Sequence, residues 1–329
     1  MAGRRRKKSG GRSYAWRYRG RIVACVFVEV IIICALVIMI GWNKGVKEWF
    51  EQFEQPVLKE VDISGINSPN AILMQARGGK ILGEINGEAQ IYPASMTKIM
   101  TVILGIENFD DLDEKITLTN EMFSGLYEQD ATQAGFQPGE EVRVIDLLYG
   151  AMLPSGAECC IALADTISGS EADFAELMNK KARKLGMENT HFCDSTGLHN
   201  PDHYSTVKDI AVLMKYCIKN DTFREIVETS RHSTGVTNIH PDGITYYSTM
   251  FKNLSDPTVT GGKILGGKTG YTSEAGHCLV SFAEIEGREY IFVSAGASGA
   301  DGNTIPHIQD AVTVYNRVGA AIEAKMNDN

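Results

Sequence analysis

The sequence predicts an α/β domain of the α+β kind behind a single membrane-spanning helix, on three observations. Strand-like runs with tight turns lie near both ends of the chain, and helical periodicity fills the middle. One sheet must then join N- and C-terminal segments, rather than two domains following in series. An apolar run directly follows a strongly basic tail, which carries the span. The chain has 329 residues, 43% hydrophobic and 22% charged, ordinary globular material and enough to bury a sizeable core.

In chain order, nine Lys and Arg crowd residues 1–21, the predicted cytoplasmic tail. Ile22–Ile40 is apolar except for Glu29, and 19 residues at 1.5 Å rise cover about 28 Å, close to the hydrocarbon thickness of a bilayer. About a dozen Ile, Val, Leu and Phe, each favouring insertion by roughly 0.3–0.6 kcal/mol, outweigh one central acid at about 3. Residues 22–41 are therefore read as a signal-anchor, with everything after it extracytoplasmic by the positive-inside rule. The run exits as Met39-Ile40-Gly41-Trp42 without a small-x-small cleavage site, which favours retention over a cleaved signal peptide. A nucleic-acid arm is the rival reading of the tail. With nine of 32 basic residues and one of 41 acidic ones in the first 41 positions, 23 basic face 40 acidic residues downstream, so no nucleic-acid partner is expected.

Residues 42–60 form a juxtamembrane linker. Val46, Trp49, Phe50 and Phe53 recur at i, i+3, i+4, i+7 until Pro56, an amphipathic helix that lies at the lipid surface or packs on the domain. The domain itself is placed at 61–325. Ala71–Ala76 and Lys80–Ile85 read as a hairpin about Arg77-Gly78-Gly79. A helix opens near Ser95 and runs through Met96, Ile99, Met100 and Ile103, apolar on most sides and so buried. Ser170 starts a helix through Phe174, Leu177, Met178 and Leu185 that Gly186 ends, and Thr206 with Asp209 makes a capping-box start for Ile210, Leu213, Met214 and Cys217. Strands return at 263–272, 277–285 and 290–295, with Glu286-Gly287 a tight turn. A final helix carries Ile308, Ala311, Val312, Tyr315 and Val318 on one face, Pro306 in its first turn. Cys25 and Cys34 fall in the span; Cys159, Cys160, Cys193, Cys217 and Cys278 are scattered without ligand spacing and read as buried small hydrophobes rather than a disulfide framework.

The chemistry is carried by Ser95-Met96-Thr97-Lys98, by Ser155, and by Lys268-Thr269-Gly270. Serine is a weak nucleophile until a base takes its proton. Lys98, three residues on along a helix, places an amine beside the Ser95 hydroxyl. It works as a base only when neutral, a state that burial and a nearby cation, Lys268, would favour. Ser155 would relay the proton toward a leaving nitrogen, and N–H groups at the helix start would meet a developing oxyanion. This set performs acyl transfer through a serine ester with no metal and no cofactor. Each string alone is weak. Ser205-Thr206-Val207-Lys208 is a second S-x-x-K, better read as a helix start, and Ser68-Pro69-Asn70 precedes the nucleophile in a loop. Their order and their separations of 60 and 113 residues are what make the set specific.

Tyr92-Pro93-Ala94-Ser95-Met96-Thr97-Lys98, Leu147-Leu148-Tyr149 leading to Ser155-Gly156, and Gly266-Gly267-Lys268-Thr269-Gly270-Tyr271-Thr272 resemble the serine D-alanyl-D-alanine carboxypeptidases, the low-molecular-mass penicillin-binding proteins. Phe174–Ala182, Thr196-Gly197-Leu198-His199 and Ala275-Gly276-His277-Cys278 extend the resemblance over roughly residues 65–320. It implies a β-lactamase/transpeptidase-like fold, with an antiparallel sheet flanked by helices beside an all-helical lobe. It implies acylation at Ser95, Lys98 as base, Ser155 as proton shuttle, and Lys268, Thr269 and Gly270 around the substrate's terminal carboxylate. The N–H groups of Ser95 and Tyr271 would form the oxyanion hole. The implied substrate is the D-Ala-D-Ala end of a peptidoglycan stem peptide, with β-lactams as covalent inhibitors.

Two departures stand out. The middle motif of the family is usually Ser-x-Asn, and here the third position is Ala157, which removes an amide expected to orient the peptide; such a loss commonly costs about one to three powers of ten in rate. Adjacent Glu158 is turned away on a helix and does not replace it. Many members also append a C-terminal β-domain and membrane-binding helix, and the N-terminal span would replace that anchor here. Three rivals follow. A β-lactamase needs a deacylating glutamate, and Glu176 with Asn179 is better read as a solvated helix face. A zinc peptidase needs clustered ligands, but Pro201 breaks any helix between His199 and His203, which read as loop residues. A penicillin-sensing wall protein, motivated by Ala157, is the non-enzyme alternative. Endopeptidase and transpeptidase action share the same acyl-enzyme.

Overall fold

Asn70–Gln75 (β1) and Ile81–Ile85 (β2) form the expected hairpin, each a residue or so from its predicted ends. The computed structural model describes residues 58–254, 256–299 and 305–327, and Val30 apart from them. The predicted tail, the span apart from Val30, and the linker up to residue 57 thus lie outside the described residues. Among the described residues no helix is long and apolar enough to cross a membrane.

The chain continues through α1 (Lys98–Asn108), β3 (Lys115–Thr117), β4 (Glu141–Arg143), α2 (Val144–Met152), α3 (Ala157–Ser168), α4 (Glu171–Leu185), α5 (Val207–Cys217) and α6 (Asp221–Glu228). Then come β5 (Arg231–Ser233), β6 (Thr245–Tyr247), α7 (Thr249–Asn253), β7 (Thr258–Val259), β8 (Gly262–Thr272), β9 (Gly276–Ile285), β10 (Arg288–Ala297) and α8 (Pro306–Asn327). The main sheet has the order β2-β1-β10-β9-β8-β7, and every pairing in it is antiparallel. Sequence-distant β1 and β10 are neighbours within it, so the sheet joins the two ends of the domain as expected.

Strand side chains alternate faces, and both faces of this sheet are buried. Ile72, Met74, Val280, Phe282, Ile291 and Val293 belong to the core shared with α1–α6. Their neighbours Leu73, Leu279 and Phe292 belong to a second core with Ile308, Val314, Tyr315 and Val318 of α8. Burying each large aliphatic or aromatic group contributes about 1.5–3 kcal/mol, and together they fix the register. α1 sits at the middle of the helical lobe, touching α2 through α6, and Lys98–Gly105 is buried on every side. The Thr206 side chain accepts from Asp209 N at the start of α5, but the Asp209 carboxylate goes to Asn189 N and Thr190 Oγ1, so the reciprocal half of the predicted box is absent. Cys159, Cys160, Cys217 and Cys278 are buried and Cys193 half-buried, none of them in a disulfide.

Candidate active site

The residues around the predicted nucleophile are shaped by a turn. Ser95 does not lie in the first turn of an α-helix, as expected; it sits in a 3-10 turn, Ala94–Thr97, with α1 starting at Lys98. The turn's geometry and the segments packed on it account for this. Met96 N bonds Pro93 O, and Ala94 adopts φ +47°, a left-handed conformation that costs a non-glycine residue about 1 kcal/mol or more. Gly197 presses against this turn from behind: a Cβ there would lie 1.9 Å from the Ala94 carbonyl oxygen. From the sheet side Gly270 does the same, since a Cβ at that position would stand 3.0 Å from Ser95 N. Side-chain-free backbone on both sides lets β8 and the 194–197 turn close on the serine.

Four side chains meet here. Lys98 Nζ lies 3.0 Å from Ser95 Oγ and donates to Thr196 O at 2.6 Å. Ser155, between α2 and α3 and itself at φ +74°, places Oγ 3.0 Å from Ser95 Oγ. Lys268 of β8 places Nζ 3.0 Å from Ser155 Oγ and 2.9 Å from Thr269 O. The path Lys98–Ser95–Ser155–Lys268 is therefore continuous at hydrogen-bond distance. Both lysines are buried, 4% and 1% exposed. Burial is the main influence lowering the Lys98 amine below the usual lysine range, with Asp194 and Glu158 opposing it. Burial and then the charge of Lys98 hold Lys268 well below its ordinary value. Solvent exclusion, not the predicted charge of Lys268, is what lowers Lys98; the charge of Lys98 acts instead on Lys268. Each amine touches hydroxyl and carbonyl oxygens and no carboxylate, so the neutral form of one of them is favoured.

The serines open into a cleft of about 660 Å³ lined also by Thr249, Thr269, Gly270 and Tyr271. Thr269 Oγ1 lies 2.7 Å from Thr249 Oγ1, and Tyr271 stands exposed at the mouth. Ala157 is buried, its N–H bonded to Thr132 O. Glu158 is also buried and is a brace, accepting from Ala134 N and Gly135 N at 2.6 and 2.9 Å.

The decoys are structural. Ser205 Oγ is bonded to Thr190 and Lys208 pairs with Glu88 at the surface, while Ser68 is tied to Asp310. Asn179 corrects the solvated-face reading: it is buried and clamps Phe192 through both backbone groups, whereas Glu176 is exposed. His199 is a loop residue against Tyr92 and Glu274. His203 is a loop residue too, but buried, with Nδ1 3.1 Å from Asp194 Oδ2 and Nε2 2.9 Å from Thr97 Oγ1. Asp194 Oδ1 accepts from Thr196 N, Thr196 Oγ1 and Gly197 N. Burial opposes its ionisation, but His203 and these donors outweigh that and hold the carboxyl down to about 2. This support behind the nucleophile was missed from sequence; Thr196-Gly197 stood out only as family-like text. Among the described residues no cluster of three or more His, Cys, Asp or Glu is placed to hold a metal ion.

A half-buried serine against a buried lysine, with a second serine and lysine, set between an antiparallel sheet and a helical lobe, is the arrangement a serine acyl-transfer protein requires. The family model described as D-alanyl-D-alanine carboxypeptidase matches residues 57–299, and the chain belongs to that family. It is 35% identical over 231 residues to the D-alanyl-D-alanine carboxypeptidase DacF of Bacillus subtilis and 33% over 262 to DacC of Escherichia coli, matches covering 70% and 72% of this chain. It spans only 57% and 58% of those two relatives' lengths. The D-alanyl-D-alanine carboxypeptidase of Streptomyces sp. strain K15 is 35% identical over 236 residues, covering 69% of this chain and 78% of that protein. Among solved structures, the Streptomyces K15 DD-transpeptidase superposes with TM-score 0.70 at 29% identity, covering 79% of this chain and all of that one. Penicillin-binding protein 5 of Haemophilus influenzae gives 0.66 at 27%, covering 76% and 70%.

Proposed function

We propose that this chain is a serine D,D-carboxypeptidase that removes the terminal D-alanine from peptidoglycan stem peptides through a Ser95 acyl-enzyme. The observation that carries this is the unbroken contact path from Lys98 through Ser95 and Ser155 to Lys268. Neutral Lys98 accepts the Ser95 proton as Oγ bonds to the carbonyl carbon of the penultimate D-alanine. The N–H groups of Ser95 and Tyr271 meet the oxyanion. As the C–N bond breaks, Ser155 delivers its proton to the departing D-alanine nitrogen and takes up in exchange the proton that Lys98 received from Ser95, which returns the Lys98 amine to its neutral form; Lys268 lies beneath Ser155. Thr269, with Lys268 behind it and Gly270 admitting the backbone, holds the substrate's carboxylate. Water then takes the place of the departed amine, with Lys98 again as base, and frees Ser95. A β-lactam acylates Ser95 in the same way, but its leaving nitrogen stays tethered and the ester persists.

Full-length protein incubated with labelled penicillin is expected to carry the label on Ser95 and, separately, to release D-alanine from a pentapeptide. Absence of label on Ser95 would remove the acyl-enzyme reading. Label without D-alanine release would instead support the sensor alternative, which Ala157 in place of an amide motivates. Anchoring by residues 22–41 with the catalytic domain outside the cytoplasm is part of the same proposal, resting on the apolar run and basic tail. A reporter fused after residue 60 should be active outside the cell membrane; activity inside would overturn that topology.

A further inference from the structure

A base that activates a serine is held in turn by a third group. Lys98 Nζ lies 3.0 Å from Ser95 Oγ and donates to Thr196 O at 2.6 Å. The Thr196 carbonyl is itself fixed from its far end. Thr196 C=O and Gly197 N–H belong to one planar peptide group, and Gly197 N donates to Asp194 Oδ1 at 2.7 Å. The same carboxylate oxygen accepts from Thr196 N and Thr196 Oγ1, each at 2.7 Å. A single peptide plane thus separates the Asp194 carboxylate from the Lys98 amine. Hydrogen bonds in series polarise one another, so a carboxylate at the N–H end makes the carbonyl at the other end a stronger acceptor.

The second carboxylate oxygen leads back to the nucleophile's turn. Asp194 Oδ2 lies 3.1 Å from His203 Nδ1, which is also 3.2 Å from Cys193 N, and His203 Nε2 lies 2.9 Å from Thr97 Oγ1. Thr97 is bonded in the chain to Lys98. The contacts therefore close into a ring through Lys98, the Thr196–Gly197 peptide, Asp194, His203 and Thr97. His203 and Thr97 are 2% and 0% exposed, so bulk water does not stand in for either.

Charge works along the same ring. Burial lowers the Lys98 amine, and Cys160, Asp194, Glu158 and Cys159 oppose it. Burial of the two thiols keeps them neutral, pushing Cys160 up to about 12 and Cys159 well above its ordinary value. Burial raises Glu158 as well, and Lys268, beyond Ser155, is held well below the usual lysine range by burial and then by Lys98. Asp194 is the acid among these groups that is held down, to about 2, against burial and by His203 and the donors of its own turn.

We propose that Asp194 and His203 are positioning residues of the acylation step, which orient the Lys98 amine through the Thr196–Gly197 peptide and hold the Ser95 turn through Thr97. An N–H of the neutral amine seated on the Thr196 carbonyl leaves the nitrogen lone pair free to face Ser95 Oγ. This rests on the acyl-enzyme reading. It adds the third group that the Ser95–Lys98 pair otherwise lacks.

Stopped-flow acylation of the full-length chain by labelled penicillin, followed across pH, tests this. Asp194→Asn removes the charge but keeps an acceptor for the turn, since Asn makes the same local bonds as Asp. It should lower the plateau rate about tenfold, the scale of one hydrogen bond to a charged group. It should also move the acid limb of the profile to lower pH, because Lys98 holds a proton less tightly without the neighbouring carboxylate charge. Asp194→Ser, uncharged and still an acceptor, should do the same and serves if the Asn variant does not fold. His203→Gln leaves the carboxylate in place, so it should lower the plateau without that displacement. Glu171→Gln is the control for a purely structural role. Glu171 Oε1 accepts from Ser195 N at 3.1 Å and Ser195 Oγ at 2.6 Å, bracing the same turn without touching the Thr196–Gly197 peptide. It should lower the melting temperature and leave the acid limb where it is. An acid limb unmoved by the Asp194 substitutions, a parent-like plateau in His203→Gln, or an equal displacement by Glu171→Gln would overturn the proposal. A parent whose Ser95 takes no label removes the acyl-enzyme reading and this inference with it; a labelled parent with an unmoved limb removes the inference alone.

Discussion

Lys98→Met is expected to slow penicillin acylation of Ser95 by about 10⁴-fold or more, the upper range for loss of a general base that acts as a unit with its nucleophile. Methionine keeps the unbranched side chain out to Cε and removes the amine 3.0 Å from Ser95 Oγ. The same substitution has a pH-dependent effect on stability. Burial lowers the Lys98 amine in the folded state, so the unfolded chain binds more protons and folding works against that group below the ordinary lysine range. The penalty grows as pH falls from the unfolded value toward the lowered folded one, then levels off. The difference in melting temperature, variant minus parent, should therefore become more positive as pH falls through and below the ordinary lysine range, about pH 10. In the parent, the acylation rate should fall as acid protonates the amine, because only the neutral form accepts the Ser95 proton. Stopped-flow acylation and melting curves above and below that range check this. A variant that acylates within tenfold of the parent would strip Lys98 of its role.

Much of the fold was legible because its signals are local. The β1–β2 hairpin is announced by Arg77-Gly78-Gly79, with both glycines at positive φ. The caps at Ser170 and Thr206 and the left-handed Gly186 fall where their residue types require. What could not be read was the pairing of β1 with β10, a contact between segments about 220 residues apart that only the two buried faces of the sheet dictate. The start of α1 was misplaced for a different reason: the strain at Ala94 is imposed by Gly197 and β8, not by its own neighbours in sequence.

The site divides the same way. Ser95, Lys98, Ser155 and Lys268 were visible as spaced motifs, and the fold brings them to one point. Their support is dispersed and chemically plain in sequence. Asp194 and His203 lie in loops where their types usually mean turns and solvent, and no local signal links either to Thr97 beside the serine. Lysine chemistry is set by burial, and burial emerges only when both lobes close over it.

Gly197→Ala should be the most damaging change outside the four reacting side chains. The residue has φ +80°, and a Cβ would stand 1.9 Å from Ala94 O, 2.5 Å from Ala94 C and 2.8 Å from Thr97 Oγ1. The first two are backbone atoms of the turn that carries Ser95, so relief requires that turn to move. The neighbouring Thr196 carbonyl, which receives Lys98 Nζ, would move with it. We expect a loss of about 3 kcal/mol or more in stability, and an acylation rate lower by about 10²-fold, the cost of misplacing a reacting group by about 1 Å. Gly169→Ala separates strain from collision. It has φ +82° at the end of α3 with nothing within 4 Å of the added Cβ, so it should cost only about 1–2 kcal/mol and leave acylation unchanged. Equal melting shifts and parent-like acylation in both variants would show that the 194–197 turn does not hold the nucleophile in place.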